Sequence, residues 1–236
     1  GWEGCSHSNY NLITANTLLG AGYDVERLNM RDHAPGIQLD PHALNKGVFL
    51  GTLINEVIEP GHQVARLAED RPFYIIGASM GGNFALRMAR SHTARPFPNL
   101  KRVLVFSPAL DPGRSTKAID AKPPYQHYFR RRWARSLRRK QELFPDSFDV
   151  GDVLQIPSIY DMTDALVSQS GQHATVEEYF KKYSVKGDAL SNLSVPTTVI
   201  TALDDAVIPV VDFYGLAPHP LLDVRIERYG GHVGWI

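Results

Sequence analysis

The sequence predicts an α/β fold, a mostly parallel sheet flanked by helices, and three features predict it. Short apolar strands alternate with helix-like segments along most of the chain. Some strands are near-continuously apolar, as in "VLVF" from Val103 to Phe106, which suits strands covered on both faces. The residues best able to do chemistry fall just past strand ends, where parallel sheets place their active sites.

"NYNLITANTLLGAG" carries apolar residues at helical spacing and closes on Gly20 and Gly22, a usual helix stop. "YDVERLNM" then alternates as a short strand would, with Val25 and Leu28 as its apolar anchors. A polar loop, "RDHAPGIQLDPH", precedes a helix expected from about Leu44 to Leu67. "FYII" reads as a buried strand, "GNFALRMARS" as a helix and "RVLVFSP" as a strand; "TTVITAL" and "LDVRIERYG" add two more strands. From Asp111 to Asn192 the alternation stops, giving way to Pro-Pro, a dense basic run and aromatic-rich helical pieces. This region, 111–192, is expected to be a helical cap inserted into a core formed by 1–110 and 193–236.

With 236 residues and 43% apolar content the chain can bury the core of one domain. Its 25 basic and 25 acidic residues balance, so no overall field recommends nucleic acid as a partner. A single cysteine, Cys5, excludes an internal disulfide and a Cys-rich zinc site, and fits a reducing, cytoplasmic setting. No apolar run approaches the roughly 18–20 residues of a membrane-spanning helix. The histidines show neither H-x-H nor H-E-x-x-H spacing, so no metal and no cofactor is expected.

The chemistry centres on "FYIIGASMGGNFALRMA", where Gly77-x-Ser79-x-Gly81 lies between a strand and a helix. A serine hydroxyl is a weak nucleophile unless a base takes its proton, an acid orients that base, and N–H groups await the oxyanion. A strand–turn–helix with flanking glycines supplies part of this. The glycines are expected to remove side chains where the two elements nearly collide, and Met80 N–H is placed to face the oxyanion. The remaining partners must follow in the order acid, then histidine, each past a later strand. "TALDDAVIP" offers Asp204 and Asp205, and "RYGGHVGWI" offers His232 on a glycine-rich loop.

These residues resemble the α/β-hydrolase superfamily and, more narrowly, its AB-hydrolase-4 branch, the YheT-like esterases. The resemblance runs over essentially the whole chain and rests on "GWEG", "RLNMRDHAPG", "GASMGGNFAL", "YFRRRWARSLRRKQELFP", "LDDAVIP" and "GGHVGW". It implies a serine hydrolase of carboxylic esters, short- to medium-chain acyl esters among them, that acts in lipid metabolism through an acyl-enzyme. Ser79 falls on its nucleophile, His232 on its base and Asp205 on its acid, with Asp204 the alternative. Gly1 and Trp2 match the end of its first oxyanion motif, so Trp2 N–H becomes the second donor beside Met80 N–H. The resemblance also implies strands before Gly1 and a helix after the His232 loop that this sequence lacks, so it is expected to be a fragment, unstable or inactive in isolation.

Alcohol O-acylation by the same acyl-enzyme, and a non-catalytic hydrolase-fold binder, are the alternative readings. Tyr125, Phe129, Trp133 and Tyr179 are the candidates to shape an apolar acyl pocket. In "HYFRRRWARSLRRK", Phe129, Trp133 and Leu137 form one apolar stripe, and seven basic residues occupy much of the rest. Those basic residues are expected either to pair with acids elsewhere or to rest on an anionic membrane surface. His33 is expected to brace its loop, and Arg31 and Asp32 to pair or hydrogen-bond locally.

Overall fold

The computed structural model describes residues 1–35, 40–147 and 149–234. Residues 36–39 of the "RDHAPGIQLDPH" loop and Trp235 of the "GGHVGW" motif lie outside the described residues. Four strands form one parallel sheet: β1 (Phe73–Ala78), β2 (Leu100–Phe106), β3 (Thr197–Ala202) and β4 (Leu222–Glu227), in the order β1-β2-β3-β4. Helices α1 (Asn9–Gly20) and α2 (Asn55–Leu67) precede the sheet, and α3 (Met80–His92) joins β1 to β2. Burial follows position in the sheet. Val103 and Val105 of β2 and Val199 of β3 are fully enclosed, whereas β4 alternates between half-buried and exposed as an edge strand does. The core closes with Leu86 and Ala89 of α3 and Ala65 of α2.

Between β2 and β3 lie α4 (Pro112–Asp120), α5 (Pro123–Leu143), a 3-10 turn at Val153–Gln155, α6 (Ile159–Ser170) and α7 (Val176–Tyr183). Their starts are written locally. Asp111, Ser158 and Thr175 each accept a hydrogen bond from the backbone N–H three residues on, and Pro112 and Pro123 occupy first-turn positions. Asp120 reaches from the end of α4 to Ser158 Oγ and the amides of Ile159 and Tyr160, tying α4 to α6. These helices carry two apolar clusters of their own, one around Leu137, Val153 and Met162 and one around Val167, Tyr179 and Phe180.

Two expected elements differ. Residues 23–30, read as a strand, join no ladder, and Leu28 is exposed. Alternation specifies which side chains share a face, but a strand also needs a neighbour, and β1 pairs only with β2 among the described residues. The helix expected from Leu44 begins at Asn55 instead; the preceding stretch forms turns around Gly47 and Gly51. A Cβ on Gly51 would meet the Tyr183 ring at 2.5 Å, so this loop packs against α7 too closely for a side chain there.

The "RDH" segment is anchored differently from its expected local pairing. Arg31 pairs with Glu56 of α2, and Asp32 with Lys140 of α5, Nζ to Oδ1 2.9 Å. Lys140 is 1% exposed, and its ammonium also donates to the carbonyls of His42 and Asn45. Breaking a buried pair strands the remaining charge. Lys140→Met is therefore expected to lower unfolding free energy by about 3–5 kcal/mol, read as a reduced midpoint in urea.

Candidate active site

The turn from β1 to α3 places Ser79 at φ 54, ψ −121, a left-handed backbone that non-glycine residues seldom adopt. The surroundings enforce it. Ser79 N–H donates to Phe106 O at 2.9 Å, and Ser79 O accepts from Asn83 N–H and Ala109 N–H. Asn83, fully buried, anchors the same helix by donating to Ala109 O and Tyr183 O. Gly77 is the close-approach position: a Cβ there would lie 2.4 Å from Gly81 O and 2.9 Å from Ala85 Cβ. Gly81 differs from expectation, because a Cβ there would meet nothing within 4 Å. Gly82, facing Pro108 at 3.0 Å, is the second tight glycine.

Three side chains from three loops converge at the carboxyl edge of the sheet. Ser79 Oγ lies 3.0 Å from His232 Nε2, and His232 Nδ1 lies 3.0 Å from Asp205 Oδ2. An ionised carboxylate only accepts, so the imidazole carries its proton on Nδ1 and leaves Nε2 to accept from the serine hydroxyl. Asp205 is enclosed, and its other oxygen accepts from Val207 N–H (2.8 Å) and Ile208 N–H (2.9 Å). Burial pushes its carboxyl upward, but the hydrogen bond and charge of His232 and the two amides outweigh that, holding it below the usual carboxylate range.

Asp204 does not face the imidazole. Its Oδ1 accepts from Gly231 N–H at 2.8 Å and braces the loop that carries His232. That loop needs its glycines: Gly231 has φ 55, and a Cβ on Gly234 would sit 2.4 Å from Gly230 O.

The first residues of the chain lie beside the serine, since a Cβ on Gly1 would come within 3.8 Å of Ser79 Cβ. Gly4 N–H donates to Gly1 O at 3.0 Å, closing a turn over Trp2 and Glu3. Met80 opens α3, so its N–H is one of the helix's unpaired first-turn donors, at the positive end of the helix dipole. Neither Met80 N–H nor Trp2 N–H has an acceptor among the described residues.

The four pocket candidates fall in different surroundings. The Trp2 ring stacks on Phe129 at 5.5 Å and meets Trp133 edge-on at 5.2 Å, so both cover the turn beside Ser79. Tyr125 stands exposed in the first turn of α5. Tyr179 is buried among Phe180, Tyr183 and Met80, and its hydroxyl accepts from Gly51 N–H at 3.0 Å. His33 braces its loop: it is buried, its Nδ1 donates to Arg31 O, and burial pushes it down to about 4. Among the described residues no helix is long and apolar enough to cross a membrane.

No family model matches this chain, and no curated protein is similar to it in sequence. Solved structures are similar in fold. An esterase from Pyrococcus furiosus is 15% identical with a TM-score of 0.53, the match covering 100% of this chain and 73% of that one. A Legionella pneumophila protein named as a hydrolase is 14% identical with a TM-score of 0.55, covering 97% of this chain and 70% of that one. VinJ is 18% identical with a TM-score of 0.52, covering 97% and 81%. With its parallel sheet, its flanking helices and these likenesses, the chain has the α/β-hydrolase fold.

Proposed function

We propose that the chain is a serine hydrolase of carboxylic esters, of the AB-hydrolase-4, YheT-like kind, working through Ser79, His232 and Asp205. The observation that carries this reading is the pair of 3.0 Å contacts joining Ser79 Oγ, His232 and Asp205 in sequence. A binding protein has no use for a strained serine held against an oriented imidazole, and that favours an enzyme over the non-catalytic reading.

In this reading Ser79 Oγ attacks the ester carbonyl while His232 Nε2 takes its proton. The carbonyl oxygen becomes an oxyanion received by Met80 N–H and Trp2 N–H. Collapse expels the alcohol, which leaves with the proton from Nε2, and the acyl group stays on Oγ. Water then repeats the sequence, losing a proton to His232, and releases the acid and the free serine. Asp205 keeps the imidazole in the productive tautomer and stabilises its charged form. Helices α4–α7 act as the cap, and Phe129 and Trp133 are the pocket residues supported by their contacts with Trp2, in the turn beside Ser79. Hydrolysis of p-nitrophenyl esters of graded chain length tests the reading. Turnover that peaks at short or medium chains supports it, and a folded chain that hydrolyses none contradicts it.

Contact with an anionic membrane, from a cytoplasmic location, is part of the same proposal. The structure sorts the basic residues of α5. Arg130 donates to Ile156 O and Leu154 O, Arg132 to Glu3 O, Arg139 pairs with Asp40, and Lys140 is buried. Arg131, Arg135 and Arg138 remain, one exposed stripe with no anionic partner among the described residues. Each such charge near an anionic surface is worth roughly 1 kcal/mol. Replacing all three with Gln is therefore expected to reduce partitioning onto phosphatidylserine vesicles on the order of 10²-fold. Equal sedimentation of the unaltered chain with anionic and neutral vesicles would remove the membrane from the account.

A further inference from the structure

The turn Gly1–Gly4 is held from outside by one face of α5. Glu3 has φ 54, a left-handed backbone with no glycine to ease it. Local hydrogen bonding supplies only the closing contact from Gly4 N–H to Gly1 O. The hydrogen bonds and ring contacts made to Trp2 and Glu3 among the described residues come from α5. Ser136 Oγ–H donates to Glu3 Oε2 at 2.8 Å, and Arg132 Nη2–H donates to Glu3 O at 2.6 Å. Phe129 and Trp133 enclose the Trp2 ring from two directions. Positions 129, 132, 133 and 136 are spaced i, i+3, i+4 and i+7, which puts all four on one side of the helix.

Resting on the hydrolase reading, we infer that this face of α5 is a clamp that sets the second oxyanion donor, Trp2 N–H, with Arg132 and Ser136 as positioning residues. Trp2 N–H shares a peptide with Gly1 O, so the closing bond from Gly4 N–H fixes its direction for as long as Glu3 keeps its left-handed angle. If released, Glu3 would relax toward a commoner conformation, Gly4 N–H would part from Gly1 O, and the Trp2 amide would be free to turn. An oxyanion donor acts only when aimed at where charge develops, so a small rotation costs turnover more than ground-state binding. The clamp also makes the site depend on the seating of α5: the Ser79–His232–Asp205 contacts involve no α5 residue, but Glu3 takes its side-chain and carbonyl hydrogen bonds from it. Tyr10 reaches the two ends of the turn, its hydroxyl contacting the Gly1 nitrogen and lying beside Gly4, and leaves Trp2 and Glu3 to α5.

The test uses Ser136→Ala and Arg132→Gln, assayed by steady-state turnover of a p-nitrophenyl ester, by affinity for a trifluoromethyl ketone, and by hydrogen exchange at the turn. The ketone adds Ser79 Oγ across its carbonyl and places a real oxyanion between the donors. Each variant is expected to lose about 10- to 10²-fold in kcat with KM within about threefold, less than the loss from deleting a donor outright. Ketone affinity is expected to fall in step with kcat, and amide exchange at residues 2–4 to quicken. Ser136→Thr, which keeps a hydroxyl, is expected to recover most of the loss. Turnover within twofold of the unaltered chain in both variants would overturn the inference. So would a loss accompanied by a lower melting temperature and unchanged ketone affinity per folded molecule. Absence of ester turnover in the unaltered chain would overturn the hydrolase reading itself, and the positioning role with it.

Discussion

Ser79→Ala is expected to reduce ester turnover by on the order of 10⁴-fold or more and to leave the chain folded. The size follows from what the change removes. Without Oγ no acyl-enzyme forms, and His232 can at best activate water that lacks the serine's fixed position. The Met80 and Trp2 amides would still polarise a carbonyl, so a residue of catalysis over the uncatalysed rate is expected to persist. Stability should rise or stay level. Ser79 makes its structural contacts through the backbone, to Phe106 O, Asn83 N–H and Ala109 N–H, and Ala keeps all of these. A large fall in kcat with an unchanged melting temperature is the signature that separates a nucleophile from a structural turn residue. Equal turnover by the Ala variant would remove Ser79 from the chemistry.

Asp205→Asn is the second large effect, expected near 10⁴-fold in kcat, and its neighbour supplies the contrast. Oδ1 of Asp205 is occupied by the amides of Val207 and Ile208, which only a lone-pair acceptor can satisfy. An asparagine must therefore keep its oxygen there and turn its NH₂ toward His232 Nδ1. That donor forces the imidazole proton onto Nε2, the nitrogen that should receive the proton from Ser79. The imidazole stays in place in the wrong tautomer. Asp204→Asn keeps an oxygen for Gly231 N–H and should cost no more than about tenfold, the scale of one hydrogen bond. The pH dependence follows from the direction of the Asp205 shift. Its folded carboxyl titrates below the unfolded one, so its stabilising charge is present above the ordinary carboxylate value and is lost only as pH falls through the lower folded one. Activity near neutral pH is therefore not limited by protonation of Asp205. Similar losses from Asn at 204 and 205 would contradict the assignment of the acid.

What could be read from the chain alone divides along the range of the forces involved. The Ser79 turn was legible because it is written within a few residues: an apolar strand, Gly77, Ser79, and a helix opening at Met80. Asp205 and His232 followed because strand ends and chain order are local features too. The resemblance favours Asp205 over Asp204, and the loop itself adds nothing to that, since adjacent aspartates differ only in where each side chain turns. The strand expected at 23–30 illustrates the opposite limit: its alternation is present, but pairing is a property of a neighbour. Lys140 was hidden inside a basic run that reads as solvated, although it is the most buried charge on α5 and partners Asp32 more than a hundred positions earlier. The contact of Glu3 with Ser136 spans 133 positions, and no spacing rule connects them. Gly81 shows a subtler error. Its motif position suggested crowding, yet the crowded residue is Gly77, which the backbone of Gly81 approaches.

The most direct test is to trap the nucleophile. The unaltered chain is treated with a fluorophosphonate and digested, and the adduct is located by mass spectrometry. One phosphonyl group is expected on the peptide containing Ser79, formed far more slowly in His232→Ala and absent in Ser79→Ala. A folded chain that takes up no label, or takes it up equally well on another residue when Ser79 is replaced, would contradict it.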